Sequence, residues 1–313
     1  MWRLFNFIIV FGLTLAGIAG FLFHLNTGVT PDPIMLEPFE LFPVYWYGVI
    51  VVVAIGIGFL TAFTQPAANE SSSNHLIWRY LISIVIGGIF GARLFDTFLI
   101  TPIARMQGIT SPRDYFDNPV FLIDFSWGGL NTWGALCGGA IVLFWFCWRT
   151  ELSRTQTFFK ATIGFLIGLS VAQWGHFINQ ELYGVPLTSW WAIYIDPAHR
   201  LPIFAGEERF VPLFLFGAIW YLAGGAYLAF TPRWQRSSFD QLDAILIGLI
   251  WFAVGRLMLE LATPNSLFNW LPAVALLLII FIVALNRNTF GAERTAQQVS
   301  RAIGMHDRNE RVG

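Results

Sequence analysis

The sequence predicts an all-α fold, a polytopic bundle of about eight transmembrane helices. Three observations carry that expectation. First, 56% of the 313 residues are hydrophobic and 12% are charged, against roughly 25% charged in soluble domains. An ordinary soluble enzyme does not have this composition, and disorder requires the opposite one, low hydrophobicity with high charge. Second, apolar runs long enough to cross a hydrocarbon core of about 30 Å recur along the whole chain. Third, basic residues are dense in alternate connectors and sparse in the others, the pattern of a multi-pass protein. The net charge of −1 leaves no basic excess for nucleic acid.

The apolar runs fall at 4–25, 41–64, 77–100, 126–147, 158–178, 212–230, 242–262 and 267–286. The first follows Arg3 and exceeds the 7–15 residues usual in a signal-peptide core. Residues 1–26 therefore read as an additional N-terminal transmembrane helix or signal anchor. Segment 26–40, NTGVTPDPIMLEPFE, has prolines, acids and no basic residue, and reads as an external loop. Gly87/Gly91 and Gly134/Gly138 would let two helix backbones approach closely. Cys137 and Cys147 lie ten residues apart in one run, about 15 Å along a helix, too far for a disulfide. The longest connector, about 180–211, is external, and long loops tend to be functional. With the N-terminus inside, twelve basic residues fall on the cytoplasmic side. Four, Arg105, Arg113, Arg200 and Arg209, fall outside, and Arg93 and Arg256 lie within spans. Both termini are then cytoplasmic, with 288–313 as a solvated tail.

Ionisable side chains inside a bilayer cost several kcal/mol unless paired or hydrated. Arg93 and Asp96 stand three apart, and Arg256 and Glu260 four apart, spacings that allow intrahelical ion pairs. Such a pair either pins helices or offers its cation to an anion, and arginine suits a lipid phosphate. The stretch AQWGHFINQELYG, 172–184, gathers Gln173, His176, Asn179, Glu181 and Tyr183 at the outer end of a span. It reads either as a polar helix end in the head-group layer or as an acid–base group, with His as base and Glu as acid or base. FPVYWYG, 42–48, is aromatic at an outer helix start, the place of an interfacial belt. The histidines at 24, 75, 199 and 306 are scattered and read as surface or interface residues. No metal-ligand spacing, Walker loop or nucleophile elbow occurs.

The order of these pieces resembles the prolipoprotein diacylglyceryl transferase family of bacterial membrane enzymes. The resemblance rests on VYWYG (44–48), GARL (91–94), WGGLNTWGALCGG (127–139), GHFINQELYG (175–184) with Pro186, and GRLMLE (255–260). It implies transfer of diacylglyceryl from phosphatidylglycerol to the lipobox cysteine of a lipoprotein precursor. It implies no cofactor, a bacterial plasma-membrane location, and a lipid-accessible cavity open to the outer face within residues 27–287. Carried over by position, Arg256 matches the arginine placed against the phosphate and Glu260 its partner. Glu181 and Asn179 match the signature's polar pair, Tyr47 the tyrosine of the first family span, and Arg93 the arginine of the glycine-rich helix. The expected catalytic residues are His176, Glu181 and Arg256. Tyr47, Arg93, Asn131, Gln173, Asn179 and Glu260 are expected to line the phospholipid site.

The chain also departs from the family pattern. The signature's arginine is Gln173 and one of its asparagines is His176. The family's histidine in a Ser-Phe-His-Gly-Gly piece is Trp133. Its His-Pro-Ser-Gln-Leu-Tyr-Glu piece reads Val211 to Gly217, with only Pro212 retained. No arginine follows the last matched glutamate, and an extra span precedes the first family helix. Two expectations follow. The chain is a divergent transferase in which His176 replaces the lost base, or a catalytically degenerate paralogue that binds lipid or assembles with partners in a membrane complex.

Overall fold

The chain was analysed as a computed structural model that describes residues 2–36, 44–63, 74–98, 108–118, 120, 131–150, 152–235, 237–264 and 271–284. Its helices are α1 (Trp2–Thr27), α2 (Trp46–Phe63), α3 (Asn74–Phe98), the short α4 (Pro112–Asp117), α5 (Thr132–Thr150), α6 (Arg154–Ile178), α7 (Leu213–Phe230), α8 (Ser238–Ala262) and α9 (Leu271–Ala284). Every expected apolar run falls on a helix. Six of these are long and apolar enough to cross a membrane: α1, α2, α3, α6, α7 and α8. Helix α5 has 19 residues and α9 is a shorter apolar helix. The tail 288–313, most of the 65–76 connector and the start of the 42–48 stretch lie outside the described residues.

The fold is helical as expected, with two small additions outside the helices. Strand β1 (Ile34–Leu36) pairs antiparallel with β2 (Val44–Tyr45), so α2 begins only at Trp46 rather than near 41. Strand β3 (Ile193–Tyr194) pairs antiparallel with β4 (Arg209–Phe210) inside the long 179–212 connector. In that lobe buried Tyr183 donates to the His199 carbonyl at 2.7 Å and accepts from the Leu201 N–H at 2.8 Å. Burial pushes its phenol above the ordinary value, so it stays protonated as a joint of the lobe.

Helix α6 is the hub. Ile163, Leu166 and Ile167 are fully buried on it, and α2, α7 and α8 pack around it. The close approaches are glycine-made. A Cβ on Gly58 would stand 2.6 Å from the Gly164 carbonyl, which joins α2 to α6, and one on Gly225 would meet Ile167 at 2.6 Å, which joins α7 to α6. Helices α7 and α8 are tied by reciprocal bonds: the Trp220 indole donates to the Trp251 carbonyl at 2.9 Å, and Trp251 to that of Trp220 at 2.8 Å. In a bilayer nothing else competes for these donors.

Helices α3 and α5 form a second close pair, as the glycine spacing anticipated. A Cβ on Gly91 would meet the Gly134 carbonyl, and would stand 2.8 Å from Gly138 Cα. The outward faces carry Phe90, Ile141, Ile86 and Phe98, all exposed, as suits helices bathed in lipid. Both cysteines sit on α5 as free thiols. One expectation is corrected: His24 is not a surface residue but is buried at the end of α1. The Phe177 ring stands edge-on against it at 5.5 Å.

Gly91→Leu is expected to force α3 and α5 apart and lower stability by about 1–3 kcal/mol. Gly20→Ala, where a Cβ meets nothing within 4 Å, should be neutral. Thermal unfolding of both variants in detergent checks the contrast.

Candidate active site

Helix α6 ends at Ile178, with Asn179 as its C-cap donating its N–H to the Gly175 carbonyl at 3.0 Å. The next residue, Gln180, has φ +53°, and is the only non-glycine residue with positive φ among those described. That conformation costs a residue with a Cβ roughly 1–2 kcal/mol. Two bonds offset it: Gln180 Nε2 donates to Asp196 Oδ2 at 2.7 Å, and the Asp196 N–H donates to Gln180 Oε1 at 2.7 Å. The turn folds the chain back over the last turn of α6. The Glu181 N–H then reaches the His176 carbonyl at 3.2 Å, and Glu181 Oε1 lies 2.8 Å from His176 Nδ1. Asn179 Nδ2 reaches the same oxygen at 3.5 Å.

This geometry fixes the imidazole. A carboxylate only accepts, so Nδ1 carries the proton and Nε2 is left as the basic nitrogen. Nε2 has no partner among the described residues. The His176 and Glu181 side chains are 24% and 45% exposed, so the pair is reachable from outside the protein. Tyr47, on the first turn of α2, stands beside it with ring centroids 5.7 Å apart. Gly175 makes room for the Tyr47 ring: a Cβ there would stand 2.7 Å from it.

Arg256 and Glu260 form the other half of the site, paired one turn apart on α8. A Cβ on Gly184 would stand 3.5 Å from the Ala262 carbonyl, so the turn that carries Glu181 lies beside the end of α8 that carries Arg256 and Glu260. Behind Arg256 lies a set of buried polar atoms without hydrogen-bond partners: Arg256 Nε, Tyr221 Oη, Gln173 Oε1 and Trp133 Nε1. They converge through shared neighbours. Tyr221 meets the backbone position of Gly255, Gln173 faces Gly217 and Leu259, and Trp133 stacks edge-on against Phe252 at 4.9 Å. Buried polar atoms are nearly always bonded, so these unpartnered atoms are candidates for holding a polar ligand; Asp96 Oδ1 and Trp234 Nε1 also lack partners among the described residues, at other places in the fold.

The structure thus brings Tyr47, Gln173, His176, Asn179, Glu181, Arg256 and Glu260 together. Two other expected residues have structural partners instead. Arg93 Nη1 lies 3.8 Å from Asp96 Oδ2, and Tyr115 of α4 donates to the same oxygen at 3.2 Å. Burial first, then the Asp96 carboxylate, push the Tyr115 phenol up to about 12, which keeps it a donor. Asn131 accepts the Trp133 N–H at 2.9 Å as a cap on α5, and its own N–H reaches the Ala92 carbonyl at 3.4 Å. Sequence reasoning missed Gln180, Asp196 and Tyr221. Asp196-Pro197 was a turn signal, whereas nothing in an apolar span marks Tyr221 as more than filler. Among the described residues no cluster of His, Cys, Asp and Glu could hold a metal ion.

Comparison with known proteins bears on what this site is for. Residues 33–287 match the family model for prolipoprotein diacylglyceryl transferase. A phosphatidylglycerol–prolipoprotein diacylglyceryl transferase of Parasynechococcus marenigrum is 28% identical over 235 residues, covering 74% of this chain and 80% of that protein. One from Gloeobacter violaceus is 29% identical over 249 residues, covering 78% and 86%. One from Frankia alni is 30% identical over 236 residues, covering 72% and 58%. Since the family match runs across most of its length, the chain belongs to the prolipoprotein diacylglyceryl transferase family.

Proposed function

We propose that this chain transfers the diacylglyceryl group of phosphatidylglycerol to the lipobox cysteine thiol of lipoprotein precursors. The observation that carries the reading is the joint placement, at one end of the bundle, of the His176–Glu181 pair beside Tyr47 and the Arg256–Glu260 pair. In the reaction, His176 Nε2 takes the thiol proton while Glu181 stabilises the imidazolium that results. The thiolate sulfur attacks the glycerol carbon that bears the phosphate. The C–S bond forms, the C–O bond breaks, and glycerol phosphate leaves with the electron pair. Arg256 neutralises the charge gathering on that phosphate, the main electrostatic contribution of the site. Tyr221, Gln173 and Trp133 offer donors and an acceptor to the polar head group.

The same reading sets the chain in the bacterial plasma membrane with eight spans, α5 and α9 included, and both termini cytoplasmic. On this reading a lipid-accessible cavity within residues 27–287 opens to the outer face, where lipid enters laterally and the precursor cysteine arrives from outside. Residues 1–26 form an additional span, 27–287 the transferase domain and 288–313 a cytoplasmic tail.

A second reading, a lipid-binding subunit without turnover, is favoured by one observation. Gln173 and Gly217, which replace an arginine and a glutamate of the family pattern, face each other: a Cβ on Gly217 would stand 2.7 Å from Gln173 Oε1. A charged pair has been exchanged for a neutral contact, leaving Arg256 as the sole cation of the grouped residues.

With a lipobox peptide and phosphatidylglycerol, glycerol phosphate release is expected, and His176→Gln should lower kcat by about 10²–10⁴. Lipid binding without release, in the wild type, would establish the second reading. The replaced pair makes its own prediction. Gln173→Arg alone should destabilise by burying an unpaired cation, and adding Gly217→Glu should recover a coupling of about 0.5–3 kcal/mol. A double-mutant cycle on thermal unfolding measures it.

A further inference from the structure

Helix α1 precedes the segment that matches the family model, yet it packs directly on the helix that carries the site. Gly17 receives the Trp174 indole: a Cβ there would stand 2.7 Å from the ring. Phe21 stacks edge-on against Phe177 at 6.1 Å and Phe214 at 5.8 Å. His24 is 3% exposed and stands edge-on to Phe177 at 5.5 Å.

Both ring nitrogens of His24 are engaged. Nε2 accepts the Tyr194 N–H at 3.1 Å, so the proton sits on Nδ1, which donates to the Val29 carbonyl at 2.8 Å. Tyr194 belongs to β3, and two residues further on is Asp196. The intervening Ile195 donates to the Glu208 carbonyl at 3.1 Å, which holds this stretch to the next strand. Asp196 in turn grips Gln180 by two bonds, and Gln180 sets the left-handed turn that lays Glu181 on His176. A path of hydrogen bonds and two short backbone links, 194–196 and 180–181, therefore runs from α1 to the His176 imidazole.

We propose that His24 and the Gln180–Asp196 clamp are positioning residues, through which α1 sets the placement of Glu181 against His176. This rests on the reading of His176–Glu181 as the acid–base pair. An anchor that only held the chain in the bilayer would need no buried imidazole with both nitrogens bonded outside the span. A turn whose only task was to end α6 would place glycine at 180, where left-handed backbone carries no penalty. Gln180 earns its place by reaching Asp196.

The test uses the full chain in nanodiscs containing phosphatidylglycerol. His24→Leu and Asp196→Ala are compared with Asp196→Asn, whose Oδ1 can still accept from Gln180. Amide hydrogen exchange is read over 179–183 and 193–196, and steady-state transfer is read as kcat and KM. Both disruptive variants are expected to speed exchange across 179–183 about tenfold. They should lower kcat by roughly 10- to 10²-fold at constant KM, the signature of a misplaced catalytic group. Asp196→Asn should restore both. Faster exchange confined to α1 and 193–196, with kcat unchanged, would overturn the proposal. His176→Gln, run alongside, separates the two levels. If it retains turnover, the acid–base reading fails and the positioning role falls with it. If it loses turnover while His24→Leu and Asp196→Ala do not, only the positioning role fails.

Discussion

A charge taken into a bilayer must meet an opposite charge or water, and two ion pairs of this protein are organised around that requirement. Arg256 is carried on an otherwise apolar helix and is held by Glu260 one turn away. Arg93 is held by Asp96 and covered by Tyr115. The two pairs have the same chemistry and different surroundings. Around Arg93, Tyr115 of the short helix α4 donates to Asp96 Oδ2 and covers the pair, while Asp96 Oδ1 has no partner among the described residues. Around Arg256 a guanidinium nitrogen, a phenol, an indole and an amide oxygen remain unbonded. Both pairs leave bonding capacity, and the proposed function uses the larger set beside Arg256.

Packing makes the second arrangement possible. Glycines on α2, α6, α7 and α8 let backbones approach until side chains of neighbouring helices share the same space. Dispersion and hydrogen bonds, rather than hydrophobic exclusion, hold such helices together in lipid. The reciprocal Trp220–Trp251 bonds do this for α7 and α8. A rigid α6 then ends at a fixed height, and the turn at Gln180 starts from a fixed point. The position of Glu181 is set by packing far below it as well as by its own neighbours.

Much of this was legible in the sequence. The eight apolar runs, the glycine pairs on α3 and α5, and the i, i+4 pair on α8 follow from spacing alone. The His176–Glu181 contact was only half legible. Five residues apart, the two do not share a helical face, and their meeting depends on a left-handed turn that glutamine rarely adopts. The role of Asp196 was hidden because its partner lies across a lobe of two-residue strands. His24 was misread for a similar reason: a lone histidine at a helix end usually faces the interface, and the strand that covers it comes 170 residues later in the chain. Tyr221 gave no signal beyond a polar atom in an apolar run.

What unites these observations is one grouping at a shared end of α2, α6 and α8, with the His176–Glu181 pair on one side and the Arg256–Glu260 pair on the other, to which the proposed function gives the roles of base and phosphate-binding cation. The most direct measurement is a cryo-EM structure of the protein in nanodiscs of phosphatidylglycerol. The account predicts lipid phosphate within hydrogen-bond reach of Arg256, with the adjoining glycerol carbon on the side of His176 Nε2. Lipid phosphate bound at Arg93 instead, with Arg256 closed off by Glu260, would contradict it.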